Sequence, residues 1–140
     1  MKIGIDCRTI LNPGFGENAG VGHFTYALVE ALMQIDAANR YTLFFDENVL
    51  PSAVQDFTHS SHLVSSRFLP SHRYKKYLPA LWSHVFLPFA FSREKLDLLI
   101  LPSGHIPETY RGATLAVAHD LAIFKHPEWF PSSSRTLLAT

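Results

Sequence analysis

The sequence predicts an α/β fold, a Rossmann-like parallel sheet flanked by helices, as a single domain over residues 1–140. Two observations carry this reading. Short apolar runs alternate along the chain with stretches whose apolar residues recur at helical spacing. Two of the runs, Asp97 to Leu101 and Ala113 to Ala118, have the nearly continuous hydrophobic character of strands covered on both faces. At 47% hydrophobic and 13% aromatic, the 140 residues are enough for a buried core and unlike a disordered chain.

In chain order, Lys2 to Cys7 reads as the first strand, with β-branched Ile3 and Ile5. A glycine-rich loop follows, carrying Gly14, Gly16, Gly20 and Gly22. From Val21 the apolar positions Val21, Phe24, Leu28, Ala31, Leu32 and Ile35 predict one helical face running to about Asp36. Tyr41 to Phe45 predicts the second strand, and Glu47 to Phe57, interrupted by Pro51, irregular structure or a short weak helix. His62 to Arg67 predicts a third strand. Between Ser71 and Phe91, Tyr74, Tyr77, Leu78, Leu81, Trp82, Val85 and Phe89 recur at helical spacing, with Pro79 and Pro88 expected to start, kink or stop that helix. The two continuous apolar runs supply the last strands. In such sheets ligands gather beyond the carboxyl ends of the strands, so the loops after Cys7, Leu101 and Ala118 are expected to be neighbours.

Twelve Lys and Arg balance twelve Asp and Glu, so the chain offers no global positive field to hold nucleic acid. Its one cysteine, Cys7, excludes an internal disulfide framework and a multi-cysteine zinc site. Charges at Lys2, Asp6 and Arg8 interrupt the apolar stretch a signal peptide needs, and the longest apolar run, 85–91, is far short of a membrane span. The expected location is the cytoplasm, with peripheral contact at the inner membrane face as an option.

Three constellations are candidates for chemistry. The glycine loop could bring backbone N–H groups and a helix N-terminus to a phosphate, although it matches neither the dinucleotide fingerprint nor a P-loop; a long turn is the alternative. Val117-Ala118-His119-Asp120 delivers a histidine and a carboxylate at the end of a strand, where His119 could bond a sugar hydroxyl or move a proton; a loop histidine beside a capping Asp120 is the alternative. Ser103 and His105, in Pro102-Ser103-Gly104-His105, are candidate ligand contacts, since no G-x-S-x-G elbow surrounds the serine. A metal site is not expected, because among eight histidines only His59 and His62 are close in sequence and no H-E-x-x-H is present. Finally, Arg73 to Phe91 joins cations to a broad apolar face. Such a helix either lies on an anionic membrane or packs on the sheet or a further domain, and packing is the commoner outcome.

Taken in order, Met1-Lys2-Ile3-Gly4-Ile5-Asp6-Cys7-Arg8, Gly20-Val21-Gly22-His23-Phe24-Thr25, Asp97 to Ser103, Val117-Ala118-His119-Asp120-Leu121 and His126-Pro127-Glu128-Trp129-Phe130-Pro131 resemble the nucleotide-sugar-dependent glycosyltransferases of family 4, which have the two-domain GT-B fold. The resemblance covers nearly the whole chain. It implies the amino-terminal, mainly acceptor-binding half of a retaining enzyme. That enzyme would transfer a hexose, mannose favoured, from a nucleotide-diphosphate sugar to a hydroxyl of a carbohydrate or lipid-linked acceptor, without a metal or other cofactor. By the same resemblance Gly20, Gly22 and His23 would lie by the donor diphosphate and the acceptor, and His119 would line the reaction centre. Ser103, His105 and Asp120 would make acceptor or orienting contacts.

His23 stands where many relatives carry Arg. The family's second domain holds most nucleotide contacts through two glutamates eight residues apart, a spacing this sequence lacks. The expectation is therefore a piece of a longer chain, ending inside a helix that begins near Pro131 and inactive without its C-terminal nucleotide-sugar-binding domain. The competing expectation is a complete Rossmann-like module that binds a nucleotide or phosphate and transfers nothing.

Overall fold

The computed structural model describes residues 1–10, 20–55, 57, 63–70, 74, 77–119, 125, 126 and 128. Five parallel strands form one sheet: β1 (Lys2–Asp6), β2 (Arg40–Asp46), β3 (Val64–Leu69), β4 (Leu98–Leu101) and β5 (Thr114–Ala116), in the order β3-β2-β1-β4-β5. The chain first builds outward from β1 to β3 and then crosses to β4 on the other side of β1. The order therefore reverses between β1 and β4, the place where sheets of this kind open a crevice. The expected Rossmann-like parallel sheet flanked by helices is present.

Successive side chains of a strand point to opposite faces, and here each face has its own core. On one face Ile3, Ile5, Tyr41, Leu43 and Phe45 meet Val29 of α1 (Gly20–Ile35), together with Val49, Val54 and Phe57 from the segment after β2. On the other, Phe44, Leu99 and Leu101 meet Trp82, Leu87 and Phe91. Six of the seven residues of β2 are buried, as a strand between two cores requires.

Helix α1 packs through a different stripe from the one its apolar spacing predicts. Gly22, Thr25 and Val29 are buried, with Tyr26, Leu32 and Met33 partly so, whereas Phe24 and Ile35 are 40% and 80% exposed. Small side chains explain the shift. Thr25 hides its hydroxyl by donating to the carbonyl of Val21 at 2.7 Å and lying 3.1 Å from the hydroxyl of Thr9. The helix ends where Asp36 turns its carboxylate back onto the N–H groups of Ala38 (2.8 Å) and Asn39 (3.1 Å).

Strand β3 begins two residues later than predicted and continues to Leu69, because its register pairs Val64 with Tyr41 and Leu69 with Asp46. The segment 51–54 is a short 3₁₀ turn opened by Pro51. Helix α2 (Pro79–Leu81) runs through a π-helical turn (Trp82–Phe86) into helix α3 (Leu87–Arg93). Pro79 starts this helix, as expected, and Pro88 sits in the first turn of α3, where the turn before it widens. Proline has no N–H to give the carbonyl four residues back, at His84, and its ring crowds that carbonyl. The N–H of Leu87 reaches back to Trp82 instead, and the freed carbonyl of His84 accepts a hydrogen bond from the hydroxyl of Thr109.

Strand β5 differs from the expectation of a strand covered on both faces. It lies at the edge of the sheet, Leu115 is 49% exposed, and Ala116 is exposed as well. Among the described residues no helix is long and apolar enough to cross a membrane.

Candidate functional site at the reversal of strand order

Register places the site. Ile5 pairs with Ile100, and Leu101 with Ala116, so β1, β4 and β5 end level with one another and their loops leave the same edge of the sheet. Of the three loops expected to be neighbours, those after β4 and β5 meet, and residues 11–19 of the loop after β1 lie outside the described residues. After β4 the chain turns tightly at Gly104, whose N–H donates to the carbonyl of Leu101 at 3.0 Å. The N–H of Val117, just beyond β5, reaches the same carbonyl at 3.2 Å. Gly104 has φ +77°, and a Cβ there would lie 2.8 Å from the backbone oxygen of Val117. Only glycine fits so close an approach of the two loops.

That approach sets His119. Its Nε2 lies 2.5 Å from the carbonyl oxygen of Pro102, which can only accept, so Nε2 carries the proton and donates. The other ring nitrogen, Nδ1, is then the acceptor of the neutral imidazole. Phe24, one turn into α1, meets the imidazole edge-on with ring centroids 5.1 Å apart. An exposed phenylalanine on the helix and an exposed histidine beyond β5 thus hold each other across the crevice.

Helix α1 begins at Gly20, where an added Cβ would meet nothing among the described residues within 4 Å. Gly22 is buried against the sheet and His23 is exposed. The N–H groups of the first helical turn have no partner inside the helix and carry its partial positive charge. Ser103 and His105 are both exposed in the loop after β4. Of the predicted site residues, the structure joins Gly20, Gly22 and His23 to His119 through Phe24, and leaves Ser103 and His105 on the neighbouring loop. Asp120, Gly14 and Gly16 lie outside the described residues, as do His59, His62 and Arg73.

Beneath the crevice lies a buried ion pair. The guanidinium of Arg8 grips Asp6 with Nε–Oδ1 2.8 Å and Nη2–Oδ2 2.7 Å, and the backbone N–H of Arg8 adds a third contact to Asp6 at 3.2 Å. Burial opposes the charge on Arg8, but Asp6, with a further pull from Asp46, outweighs it and raises the pKa. Both carboxylates are almost fully buried, so this arginine is committed to them as a brace under the β1 and β2 ends rather than offered to an anion. Cys7 beside it is wholly buried. Burial first, and the charge of Asp6 second, push its thiol well above the ordinary range, which suits a packing role and not a nucleophile.

Sequence reasoning missed Phe24, Gly104 and the Pro102 carbonyl as parts of the site. Phe24 was assigned to the buried helical face, and no local pattern distinguishes a phenylalanine that packs on a distant imidazole. Gly104 carried a signal, a glycine between the end of a strand and a histidine. Among the described residues no group of three or more His, Cys, Asp or Glu is placed to hold a metal ion. Comparison with known protein families, curated proteins and solved structures finds no match.

Proposed function

We propose that this chain is the amino-terminal, acceptor-side domain of a retaining glycosyltransferase that moves a hexose, with mannose favoured, from a nucleotide-diphosphate sugar to an acceptor hydroxyl. The observation that supports it is the meeting of His119 with the first turn of α1 at the reversal of strand order. On this reading, the start of α1 at Gly20 and Gly22 takes the donor diphosphate, whose growing charge the first-turn N–H groups offset. The bond from the anomeric carbon to the phosphate oxygen breaks, and a bond from the acceptor oxygen forms on the same face. The acceptor proton leaves with the phosphate. His119, locked by Pro102 with Nδ1 as acceptor, takes a hydrogen bond from a donor-sugar hydroxyl and orients it.

Such a reaction needs a second domain to close over the nucleotide, so the chain alone is expected to be inactive. A panel of UDP- and GDP-hexoses, assayed by release of nucleoside diphosphate with the complete enzyme, tests the proposal. Release that needs an acceptor and fails in His119→Ala supports it. The competing reading, a nucleotide- or phosphate-binding module without transfer, uses the same strand order. It requires micromolar nucleotide binding by this chain by itself, which the transferase reading does not expect.

A further inference from the structure

We infer that His119 is a proton-operated binding switch. Its Nδ1 accepts a hydrogen bond from a hydroxyl while the imidazole is neutral, and donates one to an oxyanion once the ring takes a second proton. The inference stands on the setting of the ring and does not depend on the transfer reaction. Nε2 is tied to the carbonyl oxygen of Pro102 at 2.5 Å, an atom that has no proton to give. Nδ1 has no partner among the described residues, and the side chain is exposed. An incoming proton therefore has one destination. It adds from solvent to the Nδ1 lone pair, and the Nε2–H bond stays as it was. The ring keeps its place while its charge changes. Imidazolium is a stronger donor than imidazole, so protonation tightens the bond to Pro102. The carbonyl is itself held, because its loop turns at Gly104, whose N–H donates to Leu101 at 3.0 Å, and the N–H of Val117 shares that acceptor at 3.2 Å. Phe24, edge-on with centroids 5.1 Å apart, carries no charge that would respond.

The groups around the ring give this switch its effect. Among the described residues, the neighbouring elements bring His23 from the first turn of α1, His105 from the loop after β4, and Asp6 with Arg8 from the end of β1. The segments 6–10, 20–24, 102–105 and 117–119 hold no lysine and one arginine, Arg8, which is committed to Asp6 at 2.7 Å. Tyr26 packs on Phe57, and Glu108, further along the loop, lies 3.4 Å from His84. These segments thus offer an anion no free side-chain cation at neutral pH, and gain one by protonation of histidine. Asp120, next in the chain, lies outside the described residues, and its charge does not alter which ring nitrogen is bare. The ligand class therefore changes with pH at one atom, from a hydroxyl to an oxyanion.

A pair of measurements on the protein tests this. In the nitrogen NMR spectrum of its imidazoles, His119 should show a bare Nδ1 and a protonated Nε2 at about pH 8, and both nitrogens protonated at about pH 5. The ring contact between Phe24 and His119 should persist at both. The opposite tautomer at the higher pH, or loss of the ring contact on acidification, would overturn the inference. Sulfate, which keeps its charge over this range, is then titrated at constant ionic strength. Its affinity should rise about tenfold or more from about pH 8 to about pH 5, and His119→Gln should lose most of that rise. His84→Gln, which removes a histidine from the π turn, should behave as the parent does and controls for the general gain of positive charge. A rise that survives in His119→Gln would assign it to another histidine and contradict the inference. So would the absence of sulfate binding at the lower pH.

Discussion

Phe24 and His119 lie far apart in sequence, yet their rings meet edge-on at 5.1 Å between centroids, and this contact joins the start of α1 to the loop after β5. Phe24 is 40% exposed, so it contributes little to the core. Phe24→Ala should therefore cost less than about 1 kcal/mol in denaturant unfolding, while lowering turnover in the proposed transfer about tenfold by freeing the imidazole. A large loss of stability with unchanged turnover would make the contact a packing feature only.

Gly104 lets the loops after β4 and β5 touch. Gly104→Ala places a side chain in left-handed backbone at φ +77° and 2.8 Å from the carbonyl oxygen of Val117. A destabilisation of about 2 kcal/mol is expected by chemical unfolding, with weakened ligand binding because the Pro102 carbonyl moves with the loop. An alanine variant as stable as the parent would show that the turn relaxes freely.

The foot of the sheet should respond to pH at both ends of the scale. Tyr41 donates to Asp36 at 2.6 Å. That bond, with those from Asn39 and the backbone of Ala38, holds the Asp36 carboxyl well below the usual range. Burial, reinforced by Asp36, pushes Tyr41 up to about 12. Between its native and unfolded pKa values the unfolded Asp36 binds more protons, so its contribution is present above the unfolded value near 4 and fades as the pH falls below it. Tyr41 keeps its proton in the folded state while the unfolded tyrosine loses it near 10, so its contribution fades as pH rises from about 10 to about 12. Tyr41→Phe should flatten the alkaline limb of a stability–pH curve; an unchanged limb would contradict the assignment.

Cys7 should be inert in the folded protein. Its complete burial and raised thiol pKa predict reaction with an aromatic disulfide reagent at least about a hundredfold slower than in denaturant. Fast modification under native conditions would mean that β1 opens easily at its carboxyl end.

The strands and the strand-ending positions of the site were legible in the sequence, because apolar runs and the residues that follow them are local features. Ile3, Leu43 and Leu99 announce strands by themselves, and His119 stands out as a polar group at the end of one. What sequence could not supply depended on distant partners. The buried stripe of α1 runs through Gly22, Thr25, whose hydroxyl meets that of Thr9, and Val29, and leaves the larger Phe24 and Ile35 exposed. The carbonyl of His84, left free before Pro88, is taken by the hydroxyl of Thr109, a residue from another loop. The exposure of β5 follows from its place at the sheet edge, and the strand order is not readable from Ala113 to Ala118.

The central claim is that His119 acts on a sugar donor at the crevice between β1, β4 and β5. The most direct test compares the protein in the proposed transfer reaction with its His119→Ala variant, measuring hexose transfer and unfolding side by side. The account predicts a fall in kcat of about a hundredfold or more, with stability changed by less than about 1 kcal/mol, because His119 is exposed and, among the described residues, contacts the Pro102 carbonyl and Phe24. Unchanged transfer by a stably folded variant would contradict it and remove His119 from the reaction.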